Sequence, residues 1–98
     1  MQTIYKYELN ETIELPVLAK IIRVDYDFNL QPCLWAIVDT DKPKEARYFE
    51  RFATGQAIKP LDSDHFRTYI GTIHDPHDMM WHVFEVKAKR EDVGGLFL

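Results

Sequence analysis

Three of the four histidines, His74, His77 and His82, fall close together, and the first two are interleaved with carboxylates in the run His74-Asp75-Pro76-His77-Asp78. Imidazole and carboxylate are ligands of first-row metals, so His74, His77 and His82 are the candidate metal set. The spacing argues against that chemistry. A His-x-x-His pair converges on one face of a helix, whereas Pro76 makes this segment a loop, for which a polar connector is the simpler reading. His82 stands between Trp81 and Val83 and shares a face with Phe84. It reads as a partly buried ring bonded to a neighbouring backbone group, since acid-base catalysis needs a positioned partner and none stands at a diagnostic spacing. Cys33 adjoins an apolar run and reads as a packed thiol. Ser63 lacks the Gly-x-Ser-x-Gly context of a nucleophile, and Thr54-Gly55 and Gly71-Thr72 lack the glycines and helix of a phosphate loop. No catalytic residue is assigned, and neither an enzyme nor a cofactor is expected.

The elements that would position these residues are strands. Thr3 to Leu9 alternates with period two, and Thr12 to Pro16 reads as a peripheral extended piece because of its proline. Ile21 to Phe28 places Ile22, Val24, Tyr26 and Phe28 on a core face and Arg23, Asp25 and Asp27 in water. Cys33 to Val38 is apolar on both faces and should be central, four residues after the preceding strand and so at hairpin distance. Residues 41–53 carry signals for a helix, with Asp41 as cap and Ala46, Phe49 and Ala53 at helical spacing. A strand from Arg47 to Thr54 is favoured because its neighbours in sequence are strands. In His65 to Ile73, Phe66, Thr68, Ile70 and Thr72 face one way and Arg67, Tyr69, Gly71 and Ile73 the other. Gly71 marks a bulge or a close backbone approach, and Gly55 a turn with positive φ. Trp81 to Lys87 is the last strand. The fold class is therefore all-β and mainly antiparallel, a small sandwich or open barrel of five to six strands, with α+β as the alternative if 41–53 is helical. One β-rich domain over residues 1–88 and a C-terminal tail over 89–98 are expected.

At 98 residues the chain suffices for one domain and one modest core. Sixteen acidic against twelve basic residues give a net charge of −4, which disfavours a phosphate-tracking surface, so direct nucleic-acid binding is not expected. No apolar run is long enough to span a membrane, and no secretory leader is evident. With a single cysteine, the expected compartment is the cytoplasm of the host cell. Two sets of residues are candidate partner contacts. Asp25, Asp27, Asp39, Asp41 and Glu45 supply an acidic face, and Leu96, Phe97 and Leu98 an apolar tail that docks on its own domain or links copies into a homo-oligomer.

Thr3-Ile4-Tyr5-Lys6-Tyr7-Glu8-Leu9, Ile13-Glu14-Leu15-Pro16, Pro32 to Asp39, Thr54-Gly55, Tyr69-Ile70-Gly71-Thr72 and Trp81-His82-Val83-Phe84-Glu85 together resemble a family of short phage and prophage proteins of unassigned function. The likeness covers most of residues 1–86 and departs from the family in the His74–Met80 connector and after Lys87. It implies a strand ending in Thr-Gly after the central Trp strand, a phage context, and no known activity. In that context the expected role is binding to a host or phage protein complex, for instance as an inhibitor of a host defence complex such as a CRISPR effector. A metal- or ligand-binding protein using the His74–His82 region and a minor virion or assembly component are the alternatives.

Overall fold

The computed structural model describes residues 1–89 and contains seven strands over them. They are β1 (Gln2–Glu8), β2 (Thr12–Pro16), β3 (Lys20–Tyr26), β4 (Pro32–Asp39), β5 (Lys44–Ala53), β6 (His65–His74) and β7 (Met80–Ala88). Every pairing is antiparallel. One sheet has the order β1-β4-β3 and the other β2-β5-β7-β6, and neither closes into a barrel. The described residues contain no helix, hence none long and apolar enough to cross a membrane. The expectations for the tail residues Leu96, Phe97 and Leu98 lie outside the described residues.

The all-β, antiparallel expectation is the observed fold class, the strand favoured over the helix near 41–53 is present as β5, and the strand count is corrected. Residues 41–53 are not helical: after a turn closed by the Lys42 amide on the Asp39 carbonyl, 3.1 Å, β5 starts at Lys44, three residues ahead of Arg47. Its helical spacing of Ala46, Phe49 and Ala53 is overridden because β2 and β7 pair along its two edges, satisfying backbone groups that a helix would have satisfied internally. The count is seven rather than five or six because Thr12–Pro16 is a paired strand. Its Pro16 sits at the last position of an edge, where the missing amide is tolerated, and Ile13 and Leu15 enter the core.

The core lies between the sheets. β4 supplies Leu34, Ala36 and Val38, and the larger sheet supplies Leu15, Phe49, Ile73 and Val83. The sheets come closest where β3 lies against β6. Each of these strands carries a bulge there. The register of β3 skips Ile22 and that of β6 skips Ile70. A bulge exchanges the faces of all residues on one side of it. Ile21 therefore packs on the core with Val24 and Tyr26, while Ile22, expected inside, is exposed. Phe28 also leaves the expected core face, because β3 ends at Tyr26. In β6 the bulge puts Tyr69 and Thr72 on one face, and Gly71 and Ile73 on the other.

Both glycine expectations hold. Gly71 is at the bulge and makes a close approach between the sheets, since a Cβ built on it would lie 2.7 Å from Val24 Cγ2. Gly55 has φ +88° with nothing within 4 Å of an added Cβ, so its constraint is purely conformational. Gly55→Ala is expected to cost about 1 kcal/mol, the ordinary penalty for an L side chain in the left-handed region. Urea denaturation should show it as a lower midpoint with an unchanged slope.

Candidate interaction surface

The three histidines do not converge. His74 Nε2 is 2.7 Å from Asp78 Oδ1, and His77 lies in the connector with its amide on Asp75 Oδ1 at 2.8 Å. His82 is held between two hydroxyls, Thr54 Oγ1 at 2.8 Å from Nε2 and Thr72 Oγ1 at 3.2 Å from Nδ1. Its expected backbone partner is replaced by side chains because β7 lies between β5 and β6, so Thr72 of β6 and Thr54, in the turn just after β5, reach the ring. No group of three or more His, Cys, Asp or Glu side chains is placed to hold a metal ion among the described residues.

The five carboxylates of the expected acidic face are scattered. Asp25 and Asp27 stand at the Pro32 end of β4, and Asp39 and Asp41 at its other end, about 20 Å away at the rise of an extended strand. Glu45 belongs to the other sheet, opposite Leu15. Four of them are engaged locally. Arg23 pairs with Asp25, Lys6 Nζ lies 3.0 Å from Asp27, and the Met1 amino group contacts both Asp39 and Asp41.

Asp27 and Asp75 build two loops of the same construction. In the β3–β4 hairpin the Asp27 amide donates to Gln31 O (2.8 Å) and the Leu30 amide to Asp27 O (3.0 Å). Asp27 Oδ1 accepts from the Asn29 and Gln31 amides, both at 2.9 Å. In the β6–β7 hairpin the Asp75 amide donates to Met79 O (2.8 Å) and the Asp78 amide to Asp75 O (3.0 Å). Asp75 Oδ1 accepts from the His77 and Met79 amides at 2.8 and 2.9 Å. The fourth residue is left-handed in both, Leu30 at φ 61° and Asp78 at φ 67°. This is a turn followed by a left-handed residue, locked by the aspartate that opens it. Asp75 Oδ2 also takes the Trp81 indole N–H at 3.1 Å. The histidine-rich connector is thus an aspartate-closed turn, and its histidines decorate it.

The same bonds set the acidity of Asp27. The Gln31 amide and the Lys6 ammonium, with the Asn29 amide adding to them, lower its pKa from 3.8 to about 2. A carboxyl held below its unfolded value stabilises the fold fully above pH 3.8, and that contribution is lost as the pH falls through about 2. Asp27→Asn should therefore flatten the acid limb of the stability profile between those two values, as read by denaturant titrations across that range. The neighbouring Cys33 thiol is pushed up by burial and by the Asp27 charge, which keeps it protonated and inert.

The outer face of the four-stranded sheet carries a larger constellation. Tyr48, Glu50 and Phe52 of β5 lie opposite Val86, Phe84 and His82 of β7, which lie opposite Arg67, Tyr69 and Thr72 of β6. Opposed residues of paired strands share a face, so these nine side chains form one surface. Phe84 meets Phe52 and Tyr69 edge to face, with centroids 6.0 and 5.6 Å apart. The Arg67 guanidinium lies 5.2 Å from the Phe52 centroid, donates to Glu50 Oε1 at 2.6 Å and to Lys59 O at 2.9 Å, and so ties the 54–64 connection to the sheet. Tyr69 OH and Thr72 Oγ1 are 2.5 Å apart. Tyr48 and Tyr69 remain 53% and 57% exposed. Beside this face, Leu9, Phe49, Phe52, Leu61 and Trp81 line an open groove, with Arg51 stacked on Trp81 at 5.6 Å. Sequence reasoning missed this surface. Alternation in β5 and β7 signals half of it, but an unbroken alternation through β6 puts Tyr69 and Thr72 on opposite faces.

One ion pair sits beneath the surface. Glu85, 3% exposed, receives Arg47 Nε and a terminal nitrogen at 2.7 and 2.8 Å, and the other terminal nitrogen donates to Ala19 O at 2.7 Å. Among the described residues no buried side-chain nitrogen or oxygen lacks a partner. The buried polar groups are thus occupied in holding the structure, and the outer face adds exposed aromatic area at Tyr48 and Tyr69.

The chain belongs to a family described as a domain of unknown function (DUF7352), whose model matches residues 1–93. No curated protein and no solved structure matches the chain.

Proposed function

We propose that this DUF7352 domain is a protein-binding module of phage or prophage origin that acts by occupying a surface of a host or phage protein complex. The observation that supports this most is the outer face of the four-stranded sheet. Tyr, Phe and Arg are the residues enriched in the buried centres of protein interfaces. Here they sit on a paired sheet, with Arg67 and the Tyr69 hydroxyl hydrogen-bonded to neighbours and two tyrosines half exposed. The phage context rests on the motif resemblance. A host defence complex is the target to test first.

The acidic residues do not favour the electrostatic version of this reading, because ion pairs already engage four of them and they do not form one patch. Binding through the aromatic face predicts an association that added salt weakens little. The test is affinity capture from host cells on the wild-type chain and on Tyr48→Ala/Tyr69→Ala. A stoichiometric partner recovered by the first and lost by the second, at low and high salt, is the expected result. Recovery of no specific partner overturns the proposal. Binding of a labelled single-stranded oligonucleotide abolished by the same double variant would replace it with a stacking platform for nucleic acid.

A further inference from the structure

The two aspartate-closed loops share one hydrogen-bond pattern and differ in what they display. The β6–β7 loop carries Pro76, His77 and Asp78, and the β3–β4 loop carries Phe28, Asn29 and Leu30 at the same positions. Phe28 is 99% exposed and Leu30 62%. The backbone does not require apolar residues there, since its twin closes without them. It is in fact opposed to one of them: the fourth position is left-handed, which aspartate or asparagine tolerates and leucine does not favour. Folding therefore explains neither side chain, and both stand on a tip held by the Asp27 carboxylate and, through Lys6, tied to β1.

We propose that Phe28 and Leu30 are a preorganised anchor that inserts into an apolar, cation-rimmed pocket of a protein partner. This rests on the binding reading above and adds a second contact to it. A rigid tip loses little conformational freedom on docking, and a buried aromatic in a pocket is the usual form of a binding hot spot. The surroundings of the tip select a protein over a lipid surface. Asp25 and Asp27 flank it, Glu8 lies opposite Cys33 on the adjoining strand, and the Asp75 charge acts on Tyr26, against Lys6, Arg23 and, acting on the same Tyr26, Arg51 as the cations. Four carboxylates to three cations leave the tip net negative, which disfavours an anionic membrane and suits a basic rim, and two apolar side chains are too few to anchor in a bilayer.

The test places the photo-crosslinker p-benzoylphenylalanine at position 28, and at exposed Leu18 as control, in chains expressed in host cells. The captured partner is then titrated with purified Phe28→Ser and Leu30→Asn. The expected result is a discrete protein adduct from position 28 only, an affinity loss of about 30-fold for Phe28→Ser, and a loss of about tenfold for Leu30→Asn. Leu30→Asn should at the same time melt a few degrees higher, which separates loss of contact from loss of fold. Equal adducts from both positions, no adduct from 28, an adduct between two copies of this chain, or Phe28-dependent sedimentation with phosphatidylglycerol vesicles overturns the anchor. Undiminished affinity in Phe28→Ser, with loss in Tyr48→Ala/Tyr69→Ala, overturns the anchor and leaves the binding module standing. Absence of any partner removes both.

Discussion

Glu85→Ala will destabilise the domain by about 3–5 kcal/mol, the range for removing one member of a buried ion pair. The carboxylate receives two nitrogens of Arg47 at 2.7 and 2.8 Å, and the pair is shielded, with side-chain exposures of 16% and 4%. Alanine leaves a guanidinium inside the sandwich with only the Ala19 carbonyl, at 2.7 Å, as acceptor. A cation so placed costs several kcal/mol because it is largely withdrawn from water and has lost the carboxylate bonded to it. Arg47→Ala should be comparably damaging, since it strands the carboxylate on β7 opposite Phe49. The informative variant is the pair. With Arg47→Leu and Glu85→Leu together, no charge is left to desolvate, and the double variant should lose far less than either single alanine change. Guanidinium denaturation of the wild type, both single leucine variants and the double variant closes the cycle. Additive losses would mean that the two side chains stabilise the fold independently.

Gly71→Ala will destabilise by about 1–3 kcal/mol, the cost of forcing a methyl into a packed core. The new Cβ would meet Val24 Cγ2 at 2.7 Å, closer than carbon atoms approach in folded proteins. The sheets cannot simply part, because Val24 lies in the same core cluster as Leu34, Ile73 and Val83. The discriminating measurement is rescue. Val24→Ala alone opens a small cavity and is destabilising, yet in the Gly71→Ala background it vacates the space that the methyl needs. The double variant should therefore be more stable than the sum of the single losses predicts, as read by thermal melts. Without that coupling, the close approach of β3 and β6 is not what keeps residue 71 a glycine.

The strands were largely legible from alternation, because a half-buried sheet enforces period two on side chains. Trp81 and Val83 against His82, Phe84 and Val86 in β7, and Leu34, Ala36 and Val38 against Trp35 and Ile37 in β4, lie as that rule demands. Alternation fails where the backbone adds a residue. Ile22 and Ile70 are apolar residues in apolar strands, and nothing local to either announces a bulge, though Gly71 hinted at the second. In β3 the error stops at the bulge, since Val24 and Tyr26 face the core as assigned and only Ile21 and Ile22 exchange places. In β6 the faces invert beyond Ile70, which hid the surface joining Tyr69, Thr72 and His82. Arg47 and Glu85 were invisible for another reason. They are 38 positions apart, and only the pairing of β5 with β7 brings them together. The carboxylates misled in the opposite direction, since nearness in sequence suggested one face where a strand separates its two ends.

The aspartate-closed loops bear on the order in which the chain assembles. Closing a loop costs more chain entropy the longer it is, so contacts near in sequence form first and distant ones wait for them. β3 with β4 and β6 with β7 are joined by five-residue loops, whereas β1 with β4, β2 with β5 and β5 with β7 join segments more than twenty residues apart. Asp27 and Asp75 thus set the register of two hairpins that can exist before the sandwich does. Local closure therefore favours β5 adding to the β7 edge of a β6–β7 hairpin, and the seam it closes is the one that completes the exposed aromatic face.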